Sequence, residues 1–295
     1  MLQDLIARKI AHTLLHPVAQ PFPKTPADYG VDYEDVSFPA RDGVRLSGWL
    51  LNSKAAKVVV MTHFGYRANR FGYQPNRQGL LTKPYKHRIE FVNVAKRLVD
   101  ADYAVLMYDL RNHGESAASR LGVGTGGPDE RHDVLGAAHF LSGHAATRGK
   151  PIGLLSYCMG ANATFFAFEE DAAFFQQAGV AALVAMQPLT NGAFLRAYGV
   201  KGALYNKSEA YFSQQAEVSL DPRILQAIGR TAVPTLLVQA RKDPWTDLEF
   251  IQSAFDALPA EKELHWLDEP THRFDGYNWF ADHPEKMLEW FDARV

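Results

Sequence analysis

Cysteine is nearly absent from this sequence: its 295 residues contain one, Cys158. A single cysteine cannot form an intramolecular disulfide, which excludes the disulfide framework that small secreted proteins use. An excess of charge of one sign is also lacking, because 31 Lys and Arg balance 33 Asp and Glu with no long run of either sign. The sequence therefore lacks the excess of basic residues that is typical of nucleic-acid-binding proteins, and we expect no nucleic-acid partner.

Long hydrophobic runs are missing as well. No stretch reaches the roughly 18 apolar residues of a membrane span. Near the N-terminus, Asp4, Arg8 and Lys9 interrupt the apolar core that a signal peptide needs. Leucines and isoleucines recur there at helical spacing, so we interpret residues 1–30 as an N-terminal helical extension packed on the body of the protein. We expect a soluble, cytoplasmic protein without a membrane span.

From residue 31 onward, short β-rich runs alternate with helical patterns. Residues 32–40 and 45–53 alternate polar and apolar side chains around a turn, which predicts a hairpin. Continuously apolar runs follow at 57–63, 103–110, 151–157, 180–187, 234–240 and 263–268. Helical patterns occupy 89–101, 129–142, 159–170, 245–257 and 283–293. Because continuous apolar strands are buried on both faces, this order predicts an α/β fold: about eight strands in a mostly parallel sheet with helices on both faces.

Two stretches interrupt the alternation, residues 66–88 and 191–230. Each follows the carboxyl end of a predicted strand, the edge where ligands bind in open α/β sheets. We interpret 191–230 as a small helical lid on a single domain that spans 31–295. The aromatic residues of these stretches could line a substrate pocket or pack the lid onto the body. As substrate-binding candidates we select Tyr66, Tyr205 and Tyr211.

Cys158 lies at the junction of a predicted strand and the following helix. A lone cysteine is more often a small buried hydrophobe than a functional group. Here, however, the residues two positions before and after it, Ser156 and Gly160, are small, as a sharp turn carrying a nucleophile requires. The pattern SerXCysXGly resembles the GlyXSerXGly nucleophile elbow of the α/β-hydrolase superfamily, with Cys158 in place of the serine and Ser156 in place of the first glycine.

This resemblance implies a catalytic triad in the chain order nucleophile, acid, histidine. Asp243 follows the predicted strand at 234–240, and His272 follows the one at 263–268, so both reach the same sheet edge as Cys158. We therefore predict that His272, oriented by Asp243, takes the proton of the Cys158 thiol. The weaker candidates are Asp247 for the acid, and His265 and His283 for the base.

The resemblance also implies an oxyanion hole of backbone N–H groups. One is that of Met159, directly after the nucleophile. The other comes from residues 63–66, HisPheGlyTyr, which resemble the family's HisGly oxyanion loop with one inserted residue. We favour Phe64 there, with Gly65 or Tyr66 as alternatives. Residues 109–116, AspLeuArgAsnHisGlyGluSer, resemble a turn of the same family, to which we assign a structural role and no chemistry.

Together these motifs imply a hydrolase that cleaves an ester, thioester or lactone through an acyl-enzyme on Cys158. Dienelactone hydrolases also carry a cysteine elbow, whereas the overall layout is more similar to small esterases. An acyltransferase that passes the acyl group to an amine or alcohol is the first alternative, and a non-catalytic binding protein on the same fold is the second. We expect a small-molecule acyl substrate and no cofactor or metal, because the eleven histidines show no metal-ligand spacing. The sequence does not indicate the oligomeric state.

Overall fold

The computed structural model describes residues 1–18, 20–75 and 87–295. The part of the predicted 66–88 insertion at 76–86 therefore lies outside the described residues. The described chain forms the strands β1 (Tyr33–Pro39), β2 (Arg45–Leu51), β3 (Lys57–Thr62), β4 (Gly72–Tyr73), β5 (Ile89–Glu90), β6 (Tyr103–Tyr108), β7 (Ile152–Tyr157), β8 (Val180–Met186), β9 (Thr235–Ala240) and β10 (Lys262–Leu267).

Eight of these strands form one sheet in the order β1-β2-β6-β3-β7-β8-β9-β10. β1 pairs antiparallel with β2, and β2 pairs antiparallel with β6. The remaining pairs are parallel, with Thr62 of β3 opposite both Tyr108 and Ser156. The prediction of an eight-stranded, mostly parallel sheet is confirmed. The small antiparallel pair of β4 and β5 was not predicted, because two-residue strands leave no periodic signal.

The helices of the described chain are α1 (Leu2–Leu15), α2 (Phe91–Asp100), α3 (Arg131–Gly143), α4 (Met159–Gln177), α5 (Asn191–Ala197), α6 (Gly202–Ala216), α7 (Ile224–Ile228), α8 (Leu248–Ala257), α9 (Arg273–Asp282) and α10 (Glu285–Asp292). A short 3₁₀ helix covers Pro26–Tyr29. α9 was not predicted. Its ends depend on capping at His272 and on long-range contacts, and its residues lack a pronounced apolar stripe.

Side chains that alternate along the strands divide the core into two layers. In β3, Val58 and Val60 pack on one face with α3, α4, α7 and α8. Val59 and Met61 pack on the other face with α2, α9 and α10. Because successive side chains of a strand point to opposite faces, one apolar run supplies both layers. The strands are thus buried on both sides, and their carboxyl ends meet at one edge.

The predicted lid region, 191–230, contains α5, α6 and α7 between β8 and β9. α1 packs against α6, where Ala11 and Leu15 join a small apolar cluster that includes Phe212. Lys207 of α6 also pairs with Asp4 at 2.9 Å. No helix in the described ranges is long and apolar enough to cross a membrane.

Candidate active site

Cys158 occupies a strained turn between β7 and α4. Its backbone angles are φ 48° and ψ −106°, a region that residues other than glycine rarely adopt. Its N–H donates to the carbonyl of Met186 at 2.8 Å, and its own carbonyl accepts from Asn162 at 2.9 Å. A Cβ on Gly160 would lie 2.5 Å from the carbonyl oxygen of Thr62. The turn therefore requires glycine at 160, in agreement with the small-residue argument from the sequence.

A cavity of about 90 Å³ lies beside Cys158. Its wall is largely aromatic and is formed by Phe64, Tyr66, Phe194, Trp245, Phe274 and Tyr277. The end of α1 contributes Leu14, and Pro17, two residues beyond the helix, also lines the cavity. A compact cavity with apolar walls and a few polar groups is typical of a small-molecule site. The sequence did not indicate that the N-terminal extension reaches it.

Arg273 connects the predicted acid to the predicted nucleophile. Its Nε and Nη2 atoms donate to Oδ2 of Asp243 at 3.0 and 2.6 Å. Its Nη1 atom lies 3.4 Å from Sγ of Cys158. The Arg273 side chain is 1% exposed and that of Asp243 is fully buried. A guanidinium thus lies where the family resemblance led us to expect an imidazole.

Both members of this buried pair are held in the charged form. Burial alone would raise the pKa of Asp243, but the guanidinium of Arg273 and the hydroxyl of Thr246 lower it below the ordinary value. Burial opposes the charge of Arg273, yet its pKa is raised by Tyr277, Asp243 and Cys158 around it. Burial also raises the pKa of the Tyr277 hydroxyl, with a further contribution from its hydrogen bond to Cys158. The sulfur therefore faces a cation and a neutral hydroxyl.

His272 lies beside this group without joining it. Its Nδ1 atom accepts a hydrogen bond from the N–H of Phe274 at 3.3 Å, so the side chain caps α9. Its ring packs edge-on against Trp245 at a centroid distance of 4.8 Å. In the described ranges, no hydrogen bond connects His272 to Asp243 or Cys158. Burial lowers the pKa of His272, which keeps the ring neutral near pH 7.

The two predicted oxyanion residues are brought together. Phe64 follows β3 and Met159 begins α4, and neither backbone N–H has an acceptor among the described residues. His63 fixes the loop: Nδ1 donates to the carbonyl of Phe64 at 2.6 Å, and Nε2 accepts the N–H of Leu110 at 3.0 Å. A Cβ on Gly65 would lie 2.6 Å from Sδ of Met159, so the loop touches the first turn of α4. At the cavity beside the nucleophile candidate, two N–H groups thus have no acceptor in the described part of the chain.

The three tyrosines selected from the sequence have different locations. Tyr66 lines the cavity and has φ 67°. Tyr205 and Tyr211, both in α6, do not belong to the cavity wall. The hydroxyl of Tyr205 donates to Asp221 at 2.6 Å. The ring of Tyr211 lies 4.6 Å from the guanidinium of Arg8 in α1.

The weaker acid and base candidates lie elsewhere. Asp247 caps α8 by accepting from the N–H of Glu249 at 2.9 Å. His265 is part of β10, and His283 stacks on Trp279 at 4.1 Å. Over the described ranges, no group of three His, Cys, Asp or Glu side chains could hold a metal ion.

The turn at 109–116 is fixed by buried polar contacts. The Arg111 guanidinium donates to Asp133 at 2.8 Å, and Asp133 lies fully buried in α3. These contacts agree with the structural role that we assigned to this turn. The turn also places His113 in the wall of the cavity beside Cys158, which the sequence did not indicate.

Buried histidines predict a pH dependence of stability. Burial lowers the pKa of His63 and of His113, while both titrate near 6.5 in the unfolded chain. Below that pH the unfolded chain binds more protons, so the free energy of unfolding falls on acidification. We expect a loss of up to about 1.4 kcal/mol per pH unit for each of the two, measured by urea unfolding between pH 7 and 5.5. The slope should be smaller in His113→Phe, and an equal slope would contradict this account.

The sheet order, the turn at Cys158 and the convergence of loops at one edge are those of the α/β-hydrolase fold, so the fold prediction is confirmed. No protein-family model matches the sequence, and no curated protein matches it either. Among solved structures, an esterase from Pyrococcus furiosus is similar with a TM-score of 0.68 and 21% identity, over 94% of this chain and 97% of that one. An esterase from Exiguobacterium antarcticum is similar with a TM-score of 0.57 and 16% identity, over 88% of this chain and 98% of that one. A dienelactone hydrolase from Anabaena variabilis is similar with a TM-score of 0.55 and 17% identity, over 90% of this chain and 99% of that one.

Proposed function

We propose that the protein is a hydrolase that cleaves a carboxylic ester or lactone through an acyl-enzyme on Cys158. The observation that carries the proposal is the contact of Sγ of Cys158, in a strained turn at the cavity wall, with Nη1 of Arg273 at 3.4 Å. A neighbouring cation stabilises the thiolate, which is the nucleophilic form of cysteine. The similar esterases and dienelactone hydrolase support an ester or lactone as the substrate class.

In the first half of the reaction, the sulfur attacks the carbonyl carbon and a C–S bond forms. The carbonyl oxygen becomes an anion, which accepts hydrogen bonds from the N–H groups of Phe64 and Met159. The C–O bond then breaks, and the leaving alkoxide takes a proton from water to become the alcohol. Such preorganised donors typically contribute 100- to 1,000-fold, roughly, to an acyl transfer. In the second half, water attacks the thioester, the C–S bond breaks, and the acid is released.

The same proposal assigns distinct roles to the charged neighbours. Asp243 orients Arg273, and the guanidinium of Arg273 stabilises the negative charge of the sulfur once the thiol proton has passed to water. His272 carries the protons of the later steps. For this its ring must turn out of the capping position, because Nδ1 is occupied by the N–H of Phe274. Its lowered pKa, caused mainly by burial, leaves it able to accept a proton near neutral pH.

Intact-protein mass spectrometry tests this function. The protein is mixed briefly with p-nitrophenyl acetate and butanoate, short acyl-CoA thioesters and small lactones, and a Cys158→Ala variant serves as the matched control. We expect an acyl adduct on the wild type that disappears as acid is released, and none on the control. If the wild type and Cys158→Ala turned over these substrates equally fast, Cys158 would have no role in the reaction, and the proposal would be contradicted.

The fate of the adduct separates hydrolysis from acyl transfer. Discharge at the same rate with and without added amine or alcohol indicates a hydrolase. An adduct that persists in water and is released only by an added amine or alcohol would instead identify an acyltransferase. Cys158 would keep its role in either case, so this measurement tests the reaction class independently of the nucleophile.

A further inference from the structure

One nitrogen atom of the His113 ring is buried without a hydrogen-bond partner in residues 1–18, 20–75 and 87–295. The residue is 3% exposed, and its Nδ1 atom donates to the carbonyl of Arg111 at 2.8 Å. Its Nε2 atom is buried and has no hydrogen-bond partner among the described residues. Buried polar side-chain atoms are almost always paired, so this unpaired atom, on a residue that lines the cavity, is a candidate acceptor for a group from outside the chain.

The contact with Arg111 also determines the chemical form of this nitrogen. Because a carbonyl oxygen can only accept, Nδ1 carries the proton and Nε2 of the neutral ring carries a lone pair. Burial lowers the pKa of His113, which keeps the ring neutral at pH 7. Its neighbour His63, 5.2 Å away between ring centroids, has both nitrogens occupied by the protein. Nε2 of His113 is therefore a buried acceptor.

The position of His113 connects this acceptor to the reaction. The residue lines the same cavity as Cys158 and Phe64, where the acyl group of a substrate would lie. The other polar groups described next to the sulfur, Arg273 and Tyr277, present hydrogen-bond donors. A purely hydrocarbon acyl chain would leave Nε2 unpaired, as it is in the free protein, whereas a hydroxyl group on the chain could add a hydrogen bond and so gain binding free energy.

We propose that Nε2 of His113 accepts a hydrogen bond from the acyl chain of the substrate, and that the protein acts on short hydroxyacyl esters or lactones. The inference rests on the proposed function, since it names the acyl group that the same site takes. A site built to bond a hydroxyl group discriminates against the analogue that lacks it. For a single neutral hydrogen bond we expect a preference of about tenfold.

The test compares p-nitrophenyl butanoate with its 2-hydroxy and 3-hydroxy derivatives. We expect kcat/KM to favour one hydroxy ester in the wild type, and this ratio to fall about tenfold in His113→Phe, which removes the acceptor. His113→Gln retains an acceptor and should recover part of the ratio. His144→Gln is the matched control, because Nδ1 of the half-buried His144 is also buried without a partner among the described residues, but His144 lies outside the cavity wall. The ratio within one variant cancels the folded fraction, and comparing this ratio between variants cancels the difference in intrinsic reactivity of the esters.

Binding of the non-hydrolysable amides, butanamide and its 2- and 3-hydroxy derivatives, distinguishes failure of this inference from failure of the proposed function. Hydroxyl-dependent binding, measured by NMR titration and lost in His113→Phe, supports the inference even if no ester is turned over. Ester turnover with the same hydroxy-to-plain ratio in wild type and His113→Phe overturns it and leaves the proposed function standing. Equal binding of the amides, or binding of none, overturns it as well.

Discussion

Replacing Cys158 by serine is expected to lower kcat/KM for an activated ester on the order of 1,000-fold, although serine is the usual nucleophile of this fold. The reason is the neighbour of the sulfur. A guanidinium can stabilise a thiolate, since thiols ionise within reach of neutral pH, but a serine hydroxyl needs an adjacent base to be activated. Arg273 cannot act as that base, and His272 is engaged as a helix cap. The measurement is kcat/KM with p-nitrophenyl butanoate at pH 7.

Cys158→Ala provides the baseline for this comparison, because it removes the nucleophile but retains the cavity and the free amides. Serine should give a rate close to that of alanine. If the serine variant keeps most of the wild-type activity, a base already activates residue 158. His272 would then leave its capping position already before the first step and act there as the base, and the thiolate assignment would be wrong.

The arrangement of the strands could be predicted because each buried strand is recognisable from its own continuous run of apolar residues. Buried parallel strands such as residues 57–63 and 103–110 are continuous in apolar residues, and their spacing leaves room for helices between them. The turn at Cys158 could be placed because steric crowding restricts the residues around it to small ones, and Gly160 shows this restriction directly. Strand burial therefore suffices for the α/β fold, whereas the position of the nucleophile candidate also required the resemblance of residues 156–160 to the nucleophile elbow.

The partners of Cys158 could not be predicted in the same way. His272 and Arg273 are neighbours in the sequence, and which of them turns inward depends on where α9 begins. The helix begins at Arg273, and His272 is its N-terminal cap. The side-chain amide of Gln187 donates to the backbone carbonyl of Arg273 at 2.9 Å. The unpaired nitrogen of His113 likewise depends on long-range packing of a turn whose sequence indicates only structure. Both features follow from contacts between segments that are distant in the chain.

Replacing Arg273 by methionine is expected to slow alkylation of Cys158 by iodoacetamide at pH 7 by about 100-fold, comparable to the loss of a donor to an anion. Since Cys158 is the single cysteine, the alkylation rate reports on this sulfur alone. His272→Asn should leave the alkylation rate unchanged and slow only acyl-enzyme hydrolysis. The opposite pattern, with fast alkylation in Arg273→Met and slow alkylation in His272→Asn, would restore the imidazole as the group that activates the thiol.

Stability must be measured alongside, because Arg273→Met leaves Asp243 buried without its cation. Breaking such a pair typically costs about 3–5 kcal/mol. The double variant Arg273→Met with Asp243→Asn removes both charges and should regain stability without regaining alkylation rate. Arg241→Met is the matched control, because Arg241 follows β9 as Asp243 does but pairs with the exposed Asp268 at 2.7 Å. A double variant that alkylates at the wild-type rate would mean that folding, and not the guanidinium, limits the reactivity of Cys158.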